Sequence, residues 1–317
     1  MYKIGVDLGG TNISVGLVRV DEHYRYEIIT KASLPTHADR DASLIVDDIA
    51  TLCRKVCKNA EIHLENIDSV GVASPGLVNT KTGVVEYANN LPFRDLPMAQ
   101  MLRERLGIEK ILLANDANAA ALGEAVAGAA KGTSSSIMIT LGTGVGGGIV
   151  IDGKLLVGMN FAAGELGHTV IVPDGIPCTC GRRGCWERYS SATALKRMTI
   201  EKIEECRKEG RYTKMYEAPR VSGRTACDCM RSGDRAAKEV YDEYVRYLAL
   251  GLTNVINVFQ PEIISIGGGI SGEGQSLIDA LMPIISAERY DKYSSRHTEL
   301  RIAKLGNDAG IIGAAAL

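Results

Sequence analysis

The chain has 317 residues, 45% hydrophobic and 23% charged, with 36 basic against 38 acidic side chains and a net charge of -2. That balance offers no general cationic surface for nucleic acid, and aromatics at 5%, with one tryptophan, argue against base stacking as the main activity. Apolar runs fall short of a membrane span, and no basic-then-apolar leader precedes the strand-like Tyr2–Val6, so a cytoplasmic chain with reduced thiols is expected.

Three strand-like segments open the chain, Tyr2–Asp7, Ile13–Val20 and Tyr24–Leu34, with turns at Gly9-Gly10 and Asp21-Glu22. A helix is predicted from about Asp41 to Asn59, where Leu44, Ile45, Ile49, Leu52 and Val56 keep a helical period. A buried strand, Ser69–Ala73, runs into Ser74-Pro75-Gly76. A helix over Pro97–Leu106 and a strand over Ile111–Ala114 follow; the strand ends at Asn115-Asp116, where an alanine-rich helix, Ala117–Gly128, starts.

The second half returns to the opening theme. Ser136–Leu141 reads as a strand, Gly142–Gly148 as a glycine turn and Ile149–Ile151 as the returning strand. Helices are expected over Ala192–Lys208 and over Asp234–Val258, the latter interrupted only by Gly251. Glu262–Ile266 is a strand ending in Gly267-Gly268-Gly269; a helix (Ser276–Ala287), a strand (Leu300–Lys304) and a small-residue helix (Ala309–Leu317) close the chain. Ile200–Met230 reads as a solvated insertion. Strands alternating with helices indicate α/β architecture. The repeated strand–glycine–strand hairpin suggests two related domains facing a shared cleft: 1–115, completed by 305–317, and 116–304.

Three strands thus run into glycine turns: Asp7-Leu8-Gly9-Gly10-Thr11, Gly142-Thr143-Gly144 onward, and Gly267–Gly269. Glycine lets successive backbone amides approach an anion, and Thr11 and Thr143 add hydroxyl donors, so the pattern reads as a nucleotide phosphate clamp. No Walker A lysine is present. The formal G-x-G-x-x-G at Gly142–Gly147 opens no helix, so a dinucleotide site is not expected.

His168, Cys178, Cys180 and Cys185 form a Cys₃His set suited to a closed, structural Zn²⁺ site, with Gly181 and Gly184 allowing the tight loop. A disulfide plus a spare thiol is the plainer alternative. Glu165 and Glu187 bracket the set. Cys53 and Cys57 fit a buried helix face; Cys227 and Cys229 lack neighbouring ligands. Asn115-Asp116, at a strand-to-helix junction, is either a helix cap or a rigidly held general base for phosphoryl transfer to an alcohol.

Taken together, Asp7–Thr11, Leu113–Ala121, Leu141–Gly148, Gly164-Glu-Leu-Gly-His168 and Cys178-x-Cys-Gly-x-x-Gly-Cys-x-Glu187 resemble the ROK family of repressors and sugar kinases, in order and across nearly the whole chain, and most closely its bacterial glucokinases. The resemblance implies an actin-like ATPase (ribonuclease H-like) fold with the sugar in the interdomain cleft. It implies Asp116 as catalytic base, and sugar contacts from Gly76, Asn90, Asn115, Asp116, Glu165, His168 and Glu187. ATP with Mg²⁺ would be held by Asp7, Gly9, Gly10, Thr11, Asn12, Gly142, Thr143, Gly144, Gly268 and Gly269, with Asp7 orienting the Mg²⁺. His168 would bind zinc through one ring nitrogen and face the sugar with the other. Phe93 stands where the glucokinase sugar segment often carries tryptophan. A homodimer or homotetramer is implied, with glucose as the preferred sugar. Kinases for N-acetylmannosamine, N-acetylglucosamine, allose or fructose are the rivals. A repressor would need a DNA-binding module before Asp7, and a sugar sensor would not need Asp116.

Overall fold

Alternating apolar strands and amphipathic helices organise the first part of the chain, and the computed structural model describes residues 1–317. In order come β1 (Tyr2–Leu8), β2 (Asn12–Val20), β3 (Tyr26–Pro35), α1 (Ala42–Asn59), β4 (Ile67–Ser74), β5 (Leu77–Asn79), β6 (Val84–Tyr87), β7 (Arg94–Leu96), α2 (Met98–Leu106), β8 (Ile111–Asn115) and α3 (Asp116–Ala127). Then follow β9 (Ser135–Leu141), β10 (Val145–Ile151), β11 (Lys154–Leu155), α4 (Glu187–Ser190), α5 (Ala192–Lys208), α6 (Thr225–Arg231), α7 (Arg235–Phe259), β12 (Ile263–Gly267), α8 (Gln275–Glu288), β13 (Glu299–Ile302) and α9 (Ala309–Ala316). No helix is long and apolar enough to cross a membrane.

The first sheet has the order β3-β2-β1-β4-β8. β1 pairs antiparallel with β2, and parallel with β4, which in turn pairs parallel with β8. Strand alternation sends Ile4, Val6 and Leu8 into a core shared with Ile45, Ile49, Leu52 and Val56 of α1. The opposite face is made for backbone contact. A side chain at Gly5 would strike the carbonyl of Ile311, and one at Gly71 the carbonyl of Ala314, so α9 lies directly on β1 and β4. Asp41 caps α1, accepting from the Ser43 amide at 2.7 Å.

A second sheet has the order β11-β10-β9-β12-β13, and β5, β6 and β7 make a small third one. The third sheet is absent from the sequence expectation because strands of three or four residues show no period. β10 differs too. The expected turn over Gly142–Gly148 ends at Gly144, and Gly146, Gly147 and Gly148 are strand residues. Gly148 is small because Ala117 and Ala121 of α3 occupy the space its side chain would need.

The chain divides into two compact units. One comprises Met1–Met138, Gly148–Gly164 and Ala303–Leu317; the other comprises Ile139–Gly147 and Glu165–Ile302. Whereas the sequence suggested a boundary at 115/116, α3 belongs to the first unit. Gly123 packs against the Ala309 carbonyl and Gly313 against that of Ala119, so α3 and α9 touch backbone to backbone. In the second unit, 200–230 is more than a solvated insertion. Thr213, Met215, Ala226 and Cys227 are buried. The Asp234 carboxylate caps α7 at the Ala237 amide (2.8 Å) and also accepts from the Lys214 amide (2.6 Å) and the Thr213 hydroxyl (3.0 Å).

Candidate functional site

In the first unit the candidate residues gather where β1, β4 and β8 end. Asp7 sits one residue before the end of β1, opposite Ser14 of β2 and Ala73 of β4. A side chain at Gly310 of α9 would come within 2.6 Å of the Asp7 carboxyl carbon, so the first turn of α9 forms one wall of that carboxylate. Burial, then the Asp116 charge, raise the Asp7 carboxyl to about 6. The turn beyond it closes with the Gly9 amide donating to the Asn12 carbonyl at 2.9 Å. Thr36 pins it from behind, its hydroxyl donating to the Gly9 carbonyl (2.7 Å) and its amide to that of Thr11 (2.8 Å). Gly10, Thr11 and Asn12 are left exposed. Asn90 adjoins Gly10, with 3.5 Å between its Cβ and the place a Gly10 side chain would begin.

Of the two residues at Asn115-Asp116, it is Asn115 that caps the helix. Asn115 is the N-cap of α3, its Oδ1 accepting from the amides of Ala117 (2.9 Å) and Asn118 (3.3 Å), while its Nδ2 donates to the Gly76 carbonyl at 3.1 Å. Gly76, at φ +94°, has the left-handed backbone that favours glycine. Asp116, the first residue of α3, accepts from the Ala117 amide at 2.9 Å. Its side chain is exposed, yet the protein atoms around it remove enough hydration to outweigh the hydrogen bonds and raise its pKa. Phe93 is buried in the core and has no exposed face for a ligand.

In the second unit the turn after β9 closes with the Gly142 amide donating to the Gly144 carbonyl at 3.0 Å. Thr143 is exposed at its tip. The Ala192 amide of α5 donates to the Gly142 carbonyl at 2.8 Å. Gly268, at φ +85°, presses on the backbone of Leu141 at the end of β9, and Gly269 faces open space. These glycines therefore surround one strand end. Gly144 also adjoins an acid, since its absent side chain would come within 2.6 Å of Glu187 Oε2.

Glu187 connects this turn to the cysteine cluster. Its Oε1 accepts from Cys178 Sγ at 3.1 Å and lies 3.9 Å from His168 Nδ1. The ligand atoms of His168, Cys178, Cys180 and Cys185 all lie within 4.8 Å of one another. Cys178 Sγ is 3.6 Å from His168 Nδ1, and Cys180 Sγ is 3.6 Å from Cys185 Sγ. Zn–S bonds of about 2.3 Å in a tetrahedron space sulfurs by about 3.8 Å, so this donor set fits the ion; a disulfide would need about 2.05 Å. The Nε2 of His168 points the other way, 3.9 Å from Glu165 Oε2. Gly181 and Gly184 both have positive φ, as the tight loop requires. No partner cluster forms around Cys227 and Cys229.

The cluster is anchored through residues that the sequence reading passed over. Trp186, between Cys185 and Glu187, is fully buried, and Gly251 of α7 is the flat place beneath its indole; a Cβ there would enter the ring. The Tyr244 hydroxyl of α7 donates to the Ser190 carbonyl at 2.7 Å, and the Tyr189 hydroxyl accepts from the Ile176 amide at 2.8 Å. The break at Gly251 in an otherwise regular helix was the available signal. For Gly310, the signal was a glycine one residue into a small-residue helix.

The ROK family model matches residues 3–317. A glucokinase from Halalkalibacterium halodurans is 36% identical over 316 residues, covering 98% of this chain and 93% of that protein. A glucokinase from Thermotoga maritima is 36% identical over 315 residues, covering 99% and 96%. A solved ROK family glucokinase from Streptomyces griseus, in complex with glucose and AMPPNP, is 33% identical with a TM-score of 0.77, covering 100% of this chain and 98% of that one. The expected actin-like ATPase fold is borne out by this match.

Proposed function

The chain belongs to the ROK family, and from that membership and the geometry we infer that it is an ATP-dependent sugar kinase that converts glucose to glucose 6-phosphate. The observation that carries the reading is Asp116: a solvent-accessible carboxylate with a raised proton affinity, fixed at the head of α3 with Asp7 as its charged neighbour. Relatives at 36% identity named glucokinase supply the substrate class.

In this reading Asp116 accepts the proton of the sugar hydroxyl as that oxygen bonds to the terminal phosphorus and ADP leaves. Most of the rate comes from alignment and charge stabilisation. Amides of Gly9, Gly10, Thr11 and Asn12, and of Gly142, Thr143 and Gly144, donate to the phosphates, with Gly268 and Gly269 beside the nucleotide. Asp7 would orient the Mg²⁺ that ATP carries, an ion that would neutralise phosphate charge. Gly76, Asn90, Asn115, Glu165, His168 and Glu187 hold the sugar hydroxyls.

Cys178, Cys180, Cys185 and His168 would hold a structural zinc, which would keep the imidazole oriented with Nε2 toward the sugar. The protein acts in the cytoplasm as a homodimer or homotetramer.

A coupled assay of ADP release across hexoses and N-acetylhexosamines tests the assignment. The highest kcat/KM is expected with glucose. A preference for an N-acetylhexosamine would move the substrate, and no release with any sugar would overturn the kinase reading.

A further inference from the structure

Glu124 is fully buried near the end of α3, and no cation lies within ion-pairing distance of its carboxylate. Three backbone amides hold it instead. Oε2 accepts from Ala129 at 2.6 Å and from Lys304 at 3.1 Å, and Oε1 accepts from Leu305 at 2.8 Å. Gly128 is required beside it, because a side chain there would meet the carboxylate. A buried charge is costly unless its hydrogen bonds are satisfied, so three charge-assisted bonds converging here fix both chains that supply them.

One of those chains is the segment that leads into α9. Residues 303–317 return to the first unit, and Lys304 and Leu305 are the second and third residues of that return. Four residues after Leu305, α9 begins, and its second residue, Gly310, is the wall against the Asp7 carboxylate. α9 meets β1, β4 and α3 backbone to backbone at Gly5, Gly71, Gly123 and Gly313, while Ile311 packs with Val18 and Val20 of β2 and Lys31 pairs with Asp308 at 2.6 Å just before the helix. The Glu124 carboxylate holds the chain three residues further upstream, and so fixes where it enters α9.

We propose that Glu124 is a positioning residue that sets the first turn of α9 against Asp7 and so governs the magnesium-dependent binding of nucleotide. The inference rests on the kinase reading, through the role given there to Asp7. Glu124→Gln keeps the shape of the side chain but turns an NH₂ group toward an amide donor. Gly128→Ala presses on the carboxylate from outside and serves if the first variant does not fold.

Calorimetry of AMPPNP binding in the whole chain, with magnesium titrated from zero, reads the effect without turnover. Glucose affinity, followed by Trp186 fluorescence, is the control. Losing one bond to a charged acceptor should reduce the magnesium-dependent gain in AMPPNP affinity by about tenfold, with glucose affinity unchanged. Lower thermal stability with the parent's magnesium dependence in either folded variant would overturn the proposal. The parent protein separates the two claims: if its own AMPPNP binding shows no magnesium dependence, the role of Asp7 fails first, and the inference with it.

Discussion

Asp7 shows how a buried carboxylate works against the fold that holds it. Burial and the Asp116 charge lift it from the ordinary value of 3.8 to about 6. The folded chain then binds this proton more tightly than the unfolded chain, so the contribution of Asp7 to stability is fullest below pH 4 and is lost as pH rises through about 6. Asp7→Asn should therefore raise the unfolding free energy at pH 7.5 by about 2–3 kcal/mol, with no gain at pH 3.5. Denaturant midpoints at the two pH values check this, and an unchanged midpoint at pH 7.5 would contradict it. At this scale much was legible: His168, Cys178, Cys180 and Cys185 converge as their types and spacing indicate, and Asp7 and Asp116 stand at strand ends as read. Which residue of Asn115-Asp116 caps α3 was not, because either type suits a cap until the amides are placed. Nor was the contact between Gly144 and Glu187, which are far apart in sequence.

Among elements, the strongly periodic ones were readable nearly to the residue. α5 runs from Ala192 to Lys208 as its pattern indicates, and α1 begins one residue after its Asp41 cap. The strands β5, β6 and β7 were not, since a run of three residues carries no alternation to detect. Gly146–Gly148 read as turn because glycine in a strand is normally a weakness, and at Gly148 close packing of α3 demands it. The cysteine loop is the element with the sharpest test. Purified protein should carry about one zinc per chain by elemental analysis. Stripping the metal frees the loop bearing Glu165, His168 and Glu187, so glucose affinity should fall by about tenfold or more while AMPPNP affinity changes less. Equal loss of both affinities, or protein with full glucose affinity and no metal, would contradict a structural role on the sugar side.

For the molecule as a whole, the ordered run of motifs identified the family, and the fold followed from it. Compact units were harder to place, because the contacts that assign α3 to the first unit are made by α9, nearly two hundred residues later. A fold shared by relatives does not by itself establish a reaction, so the account turns on the chemistry of its named groups. Its central claim is that Asp116 takes the proton of the accepting hydroxyl. The most direct test is Asp116→Asn, with kcat from ADP release and the glucose dissociation constant from Trp186 fluorescence measured on the same preparation. The account predicts a fall in kcat of about a hundredfold to ten-thousandfold with glucose binding nearly intact. Near-normal turnover by the variant would contradict it.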